Sequence, residues 1–155
     1  MPSEDSQDEA KLAALLQRWA DGKATLREVR GYSNDELYAI AKTAYFFFYQ
    51  GRINEARTLF QGLYAVNPTD AYFAKALGVV EMAAGNGQGA LAAFDVAAKL
   101  APQDPSVYVG RAEVKLALNQ KQQAMEDLRR AAAMTPPEDP VVRKAGAMLT
   151  ALGRR

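Results

Sequence analysis

Histidine and cysteine are both missing from the 155 residues, and tryptophan occurs once. Without histidine the commonest proton shuttle and metal ligand is gone. Without cysteine there is no thiol nucleophile, no disulfide and no thiolate metal site, which fits a reducing compartment. Long apolar runs are missing too: 49% of residues are apolar, yet no stretch approaches the roughly 20 residues that cross a bilayer. Charge of one sign is scarce, with 19 Lys and Arg against 18 Asp and Glu, a net +1, and no basic block to provide a footprint for nucleic acid. The carboxylates are scattered along helical faces, where solvation or ion pairing is their ordinary role. No catalysis, cofactor or metal is therefore expected. Met1 to Ala10 carries Glu4, Asp5, Asp8 and Glu9 and lacks the basic-then-apolar order of an export signal, so the expected location is the cytoplasm, without membrane insertion.

What is present is periodic. Pro68, Pro102 and Pro136 recur every 34 residues, and each closes an alanine-rich helical pattern. Upstream of each the same order returns: Gly51, Ala56, Phe60; Gly85, Ala90, Phe94; Asn119, Ala124, Leu128. The first member of each set falls between two helical runs, where a turn needs a residue tolerant of positive φ. The alanine marks a close approach of antiparallel helices, and the large residue four positions on fills the space between hairpins. This is the period of a tetratricopeptide repeat. The expected fold is all-α: a tetratricopeptide-repeat solenoid of three helical hairpins with an N-terminal helix and a C-terminal capping helix.

In chain order, residues 1–8 are polar and expected to be disordered. Residues 9–34 hold an N-terminal helix and a connector, and residues 35–155 hold three repeats plus the closing helix. Ser33 or Asn34 reads as an N-cap, with Asp35 and Glu36 suited to the first turn. The helix pairs are expected at 35–49 and 53–66, 69–84 and 88–101, and 105–118 and 121–134, with the closing helix at 140–152. Leu12, Leu15, Leu16 and Trp19 form one apolar stripe that needs a cover. Either it caps its own solenoid or it is a dimer interface with a second copy of the chain. Gly85 to Gly89 resembles a phosphate loop only superficially, since no strand precedes it and no Lys-Ser/Thr follows. Thr43 and Arg111 fall at core-type positions, and Glu81 and Lys115, equivalent in adjacent repeats, are candidates to pair.

The first helices of successive hairpins are expected to line a concave groove. Inward positions are Tyr38, Ala41, Tyr45 and Phe48 in the first unit, Tyr72, Lys75, Val79 and Met82 in the second, and Val109, Glu113 and Leu116 in the third. These walls are aromatic and aliphatic, suited to an extended peptide that inserts apolar side chains. In the run Tyr45-Phe46-Phe47-Phe48-Tyr49 the five rings cannot all face inward at about 100° per residue. Phe47 is expected inside the hairpin, with Tyr45 and Phe48 turned to ligand, although the same two rings could instead cover the N-terminal helix, and Met82 could be ordinary core. Ala41, Tyr45, Ala76, Ser106 and Gly110 stand where a clamp for an acidic C-terminal tail would need polar residues.

Several residues resemble the class II chaperones of bacterial type III secretion. They are Gly22, Thr25 and Leu26, then Leu37-Tyr38, the run Gly51-Arg52-Ile53-Asn54-Glu55-Ala56 with Phe60 and Leu63, Leu77-Gly78 with Gly85, and Pro105 with Ala112-Glu113. The likeness covers roughly Gly22 to Ala131 and departs at Asn119, where the family usually has glycine. It implies a cytoplasmic, often dimeric, all-helical protein that holds hydrophobic translocator proteins before export by binding a short proline- and leucine-containing segment in its groove. It points to Ala41, Tyr45, Phe48 and Glu113 as groove residues. The other reading open to the sequence is a general repeat scaffold in another bacterial assembly.

Overall fold

The computed structural model describes residues 10, 14–19, 21–22 and 31–154. Leu12 and the connector residues Thr25 and Leu26 lie outside the described residues, as does the 1–8 segment. All regular structure among the described residues is helical: a segment at 14–19, then α1 (Asn34–Tyr49), α2 (Ile53–Val66), α3 (Ala71–Ala83), α4 (Gly87–Leu100), α5 (Pro105–Ala117), α6 (Lys121–Ala132) and α7 (Pro140–Gly153). The chain divides into two compact units, Met1–Pro68 and Thr69–Arg155.

The helix starts are written in short polar residues. Ser33 caps α1 in a reciprocal box: the Glu36 N–H donates to Ser33 Oγ at 3.3 Å, and the Ser33 N–H donates to Glu36 Oε1 at 3.2 Å. Asp70, Asp104 and Asp139 accept from the N–H two residues on, opening α3, α5 and α7, and proline sits in the first turn of the last two.

The hairpin turns repeat one geometry three times. At the end of α1 the Gly51 N–H donates to Phe48 O and the Arg52 N–H to Phe47 O; the same crossed pair recurs at Gly85 and Asn86, and at Asn119 and Gln120. The central residue has φ of 82° at Gly51, 81° at Gly85 and 60° at Asn119. Asparagine thus does the work of glycine in the third hairpin, because its short side chain tolerates the left-handed region. The Gly85–Gly89 string is therefore a helix stop followed by a helix start: Gly85 turns the chain, and Asn86 accepts from the Gly89 N–H at 3.0 Å.

In the first unit Ala56, Leu59, Phe60 and Leu63 of α2 are fully buried, with Leu37, Ile40, Ala41 and Ala44 of α1 buried opposite. Trp19, 5% exposed, lies on Gly62: a Cβ there would clash with the indole ring. Leu16 is buried as well and Leu15 is half-buried. The chain's own fold thus covers Leu16 and Trp19.

In the second unit Phe94 is inserted between α3 and α5; a Cβ on Gly78 would stand 2.7 Å from its ring, and one on Gly110 2.6 Å. Only glycine lets both helices approach that closely. Ala90, Ala124 and Leu128 are fully buried at their repeat positions. The α7 helix packs on α6 through Val142 and Ala145 and presents Arg143 and Lys144 to solvent. Glu81 and Lys115 do not pair. Glu81 accepts from Asn86 Nδ2 at 2.8 Å, while Lys115 Nζ reaches Asp127 at 2.8 Å on the helix of its own hairpin.

Candidate peptide-binding faces

On α1, residues spaced by three and four bring Tyr45, Phe48 and Tyr49 into one aromatic cluster. Tyr45 is half-buried; its ring meets the fully buried Phe60 of α2 edge-on, with centroids 4.9 Å apart at 66°. On its other sides lie Phe48, at 6.5 Å and 87°, and Tyr49, stacked at 6.3 Å and 25°. Phe48 in turn meets Tyr49 at 5.5 Å. Rings seated on the core with part of their area in water are pre-ordered, so a ligand that covers them loses little rotamer freedom in doing so. Tyr38, two turns earlier, is 39% exposed.

Ala41 is different. It is fully buried, so it offers no surface to a ligand. Phe47 is half-buried as expected for a hairpin residue, with the Arg52 guanidinium 4.0 Å above its ring and that guanidinium also bonded to Glu55. Sequence reasoning passed over Phe46 and Tyr49, the most exposed large apolar residues described, at 60% and 80%. The signal for Tyr49 was its place four residues after Tyr45.

In the second unit Tyr72, Val79 and Met82 on α3 are half-buried, as is Leu116 on α5. Val109 is 4% exposed and belongs to the core. Lys75 is engaged: its Nζ donates to Asp104 Oδ2 at 3.1 Å and Ser106 Oγ at 3.0 Å, tying α3 to the start of α5. Burial pushes the Asp104 carboxyl up, but the hydrogen bonds from Ser106 and Lys75 together outweigh it and hold the group below the ordinary carboxylate range. Glu113 receives Lys144 Nζ of α7 at 2.9 Å, an exposed pair of little energetic weight.

Aromatic and aliphatic area is presented from helices, and Lys75 and Glu113 are internally balanced. Each apolar anchor fully buried there would contribute about 1.5–3 kcal/mol. Among the described residues no cluster of metal-binding side chains occurs and no helix is long and apolar enough to cross a membrane.

A family model described as tetratricopeptide repeat matches residues 42–105. No curated protein matches by sequence. Among solved structures, PcrH from Pseudomonas aeruginosa is similar with a TM-score of 0.74 at 26% identity, covering 81% of this chain and 97% of that one. PcrH in complex with the chaperone binding region of PopD gives 0.73 at 26%, covering 79% and 95%. The type III secretion translocator chaperone SycD of Yersinia enterocolitica gives 0.73 at 23%, a likeness of fold, covering 83% and 98%. The chain has the tetratricopeptide-repeat fold, and the structures it resembles include a translocator chaperone of type III secretion.

Proposed function

We propose that this protein is a chaperone for hydrophobic translocator proteins of a type III secretion system, holding an extended segment of its client against the apolar faces of its repeats until export. The observation that carries the reading is the aromatic cluster on α1, with Tyr45 and Phe48 half-buried and Tyr49 exposed, in a chain whose structural neighbours include PcrH in complex with the chaperone binding region of PopD. In the first unit Tyr45 and Phe48, with Tyr38, would anchor apolar side chains of the client; in the second unit Tyr72, Val79, Met82 and Leu116 would offer a further apolar face of their own.

The protein performs no chemistry on its client in this account; it covers membrane-seeking surface in the bacterial cytoplasm. The neighbours' chaperone role and the lack of histidine and cysteine nucleophiles support that reading. The test is co-expression with the hydrophobic translocator encoded in the same genome. The chaperone should hold that translocator in the soluble fraction as a complex that survives size-exclusion chromatography. A translocator that stays in the pellet with or without the chaperone would contradict the proposal.

A further inference from the structure

The second unit contains a cavity of about 420 Å³ bounded by Asp95, Ala98 and Lys99 of α4, Tyr108 and Arg111 of α5, and Arg130 of α6. It opens on a different side of α5 from Glu113, since Arg111 and Glu113 are about 200° apart around the helix. Its volume is in the range of small-ligand sites and too small for a folded partner.

The charges around it are unequal. Arg111 is committed to Asp127 and Asp95, and Lys115 completes the coordination of Asp127. Lys99 and Arg130 are both exposed, and neither has an ion-pair or hydrogen-bond partner among the described residues. The Arg130 guanidinium carbon stands over the Tyr108 ring, 4.7 Å from its centroid, which places the group at the cavity mouth. Four cations, Lys99, Arg111, Lys115 and Arg130, thus surround two carboxylates in a chain whose overall net charge is +1. A planar, oriented guanidinium with a flexible ammonium nearby is a receptor for a carboxylate, which it can grip through two parallel hydrogen bonds.

We propose that this cavity binds an aspartate or glutamate side chain from an acidic segment of a protein partner, with Arg130 gripping the carboxylate and Lys99 closing over it. A polynucleotide is disfavoured, because no basic track continues from the site to hold further phosphates. Its lining shares no residue with the apolar faces assigned to the client.

Nuclear magnetic resonance of the full chain tests this with three probes: a capped Gly-Ser peptide with Asp-Glu at its centre, its Asn-Gln counterpart, and inorganic phosphate. The acidic peptide should shift the amides of Lys99, Tyr108 and Arg130 and the Arg130 Nε–H, and the Asn-Gln peptide should not. Lys99→Glu with Arg130→Glu should weaken the acidic peptide at least tenfold, and 0.5 M salt should do the same. Arg130→Lys, which keeps the charge but loses the two-pronged guanidinium, should weaken it severalfold. Absent shifts, equal shifts with the Asn-Gln peptide, undiminished binding by either variant, or tighter binding of phosphate at these residues would each overturn the assignment.

Discussion

Arg111 on α5 grips Asp127 on α6 as a fork, with Nε at 2.9 Å from one carboxylate oxygen and Nη2 at 2.7 Å from the other. Lys115 adds a third contact at 2.8 Å, and Asp127 itself is almost fully buried. The hydrogen bonds from Arg111 to Asp127 raise its guanidinium further above its ordinary value, against the desolvation that would lower it. The arrangement explains how arginine occupies a core-type repeat position: its charge is answered within the same hairpin.

Removing the shared carboxylate should therefore be costly. Asp127→Asn leaves Arg111 and Lys115 with half their counter-charge in a poorly hydrated place, and the expected loss is about 3–5 kcal/mol, read as a lower urea midpoint. Replacing all three residues with apolar ones of similar volume should recover most of that loss. A wild-type midpoint for Asp127→Asn alone would show that the fork contributes nothing.

Gly62→Ala addresses the N-terminal cap. The new methyl group would enter the space of the Trp19 ring and force it outward, at a cost of about 1–3 kcal/mol. Because Trp19 is the chain's single tryptophan, its emission should shift to longer wavelength without ambiguity. Unchanged emission would mean that the indole does not rest on α2.

Asp104→Asn separates charge from shape, since asparagine can still cap α5. The Asp104 carboxyl is held below its ordinary value, so its contribution to stability is fully present above the unfolded value of about 3.9 and is lost as pH falls through the folded one. The gap between wild-type and variant urea midpoints should be widest near neutral pH and close below about pH 4. The gap will be modest, because the pair with Lys75 is a third exposed and partly screened. A gap that does not vary with pH would contradict this.

The repeat frame was readable because each of its signals is local. Turn residues at 51, 85 and 119 and prolines at 68, 102 and 136 place helix ends to within a residue or two: α2 falls at Ile53–Val66 as expected, whereas α3 starts at Ala71 and not at 69, because Asp70 takes the cap. The faces were less legible. Helical spacing sorts residues by direction, not by depth, so Ala41 and Val109, which point with Tyr45 and Glu113, were assigned to surface although the helix packing buries them. The Arg111–Asp127–Lys115 cluster was out of reach for another reason: sixteen and twelve residues separate its partners, and only the closing of the third hairpin brings them together. Phe46 and Tyr49 were passed over because an aromatic run reads as core until the helix shows which rings are left outside.

The central claim is that the aromatic face of α1 holds the client. Isothermal calorimetry with the proline- and leucine-containing segment of the co-expressed translocator tests it directly, comparing the wild type with Tyr45→Ala combined with Phe48→Ala. The account predicts measurable binding by the wild type, a loss of at least about 2 kcal/mol in the double variant, as for hot-spot aromatics, and retained helical content by circular dichroism. Equal affinity in the two proteins, with both folded, would contradict it.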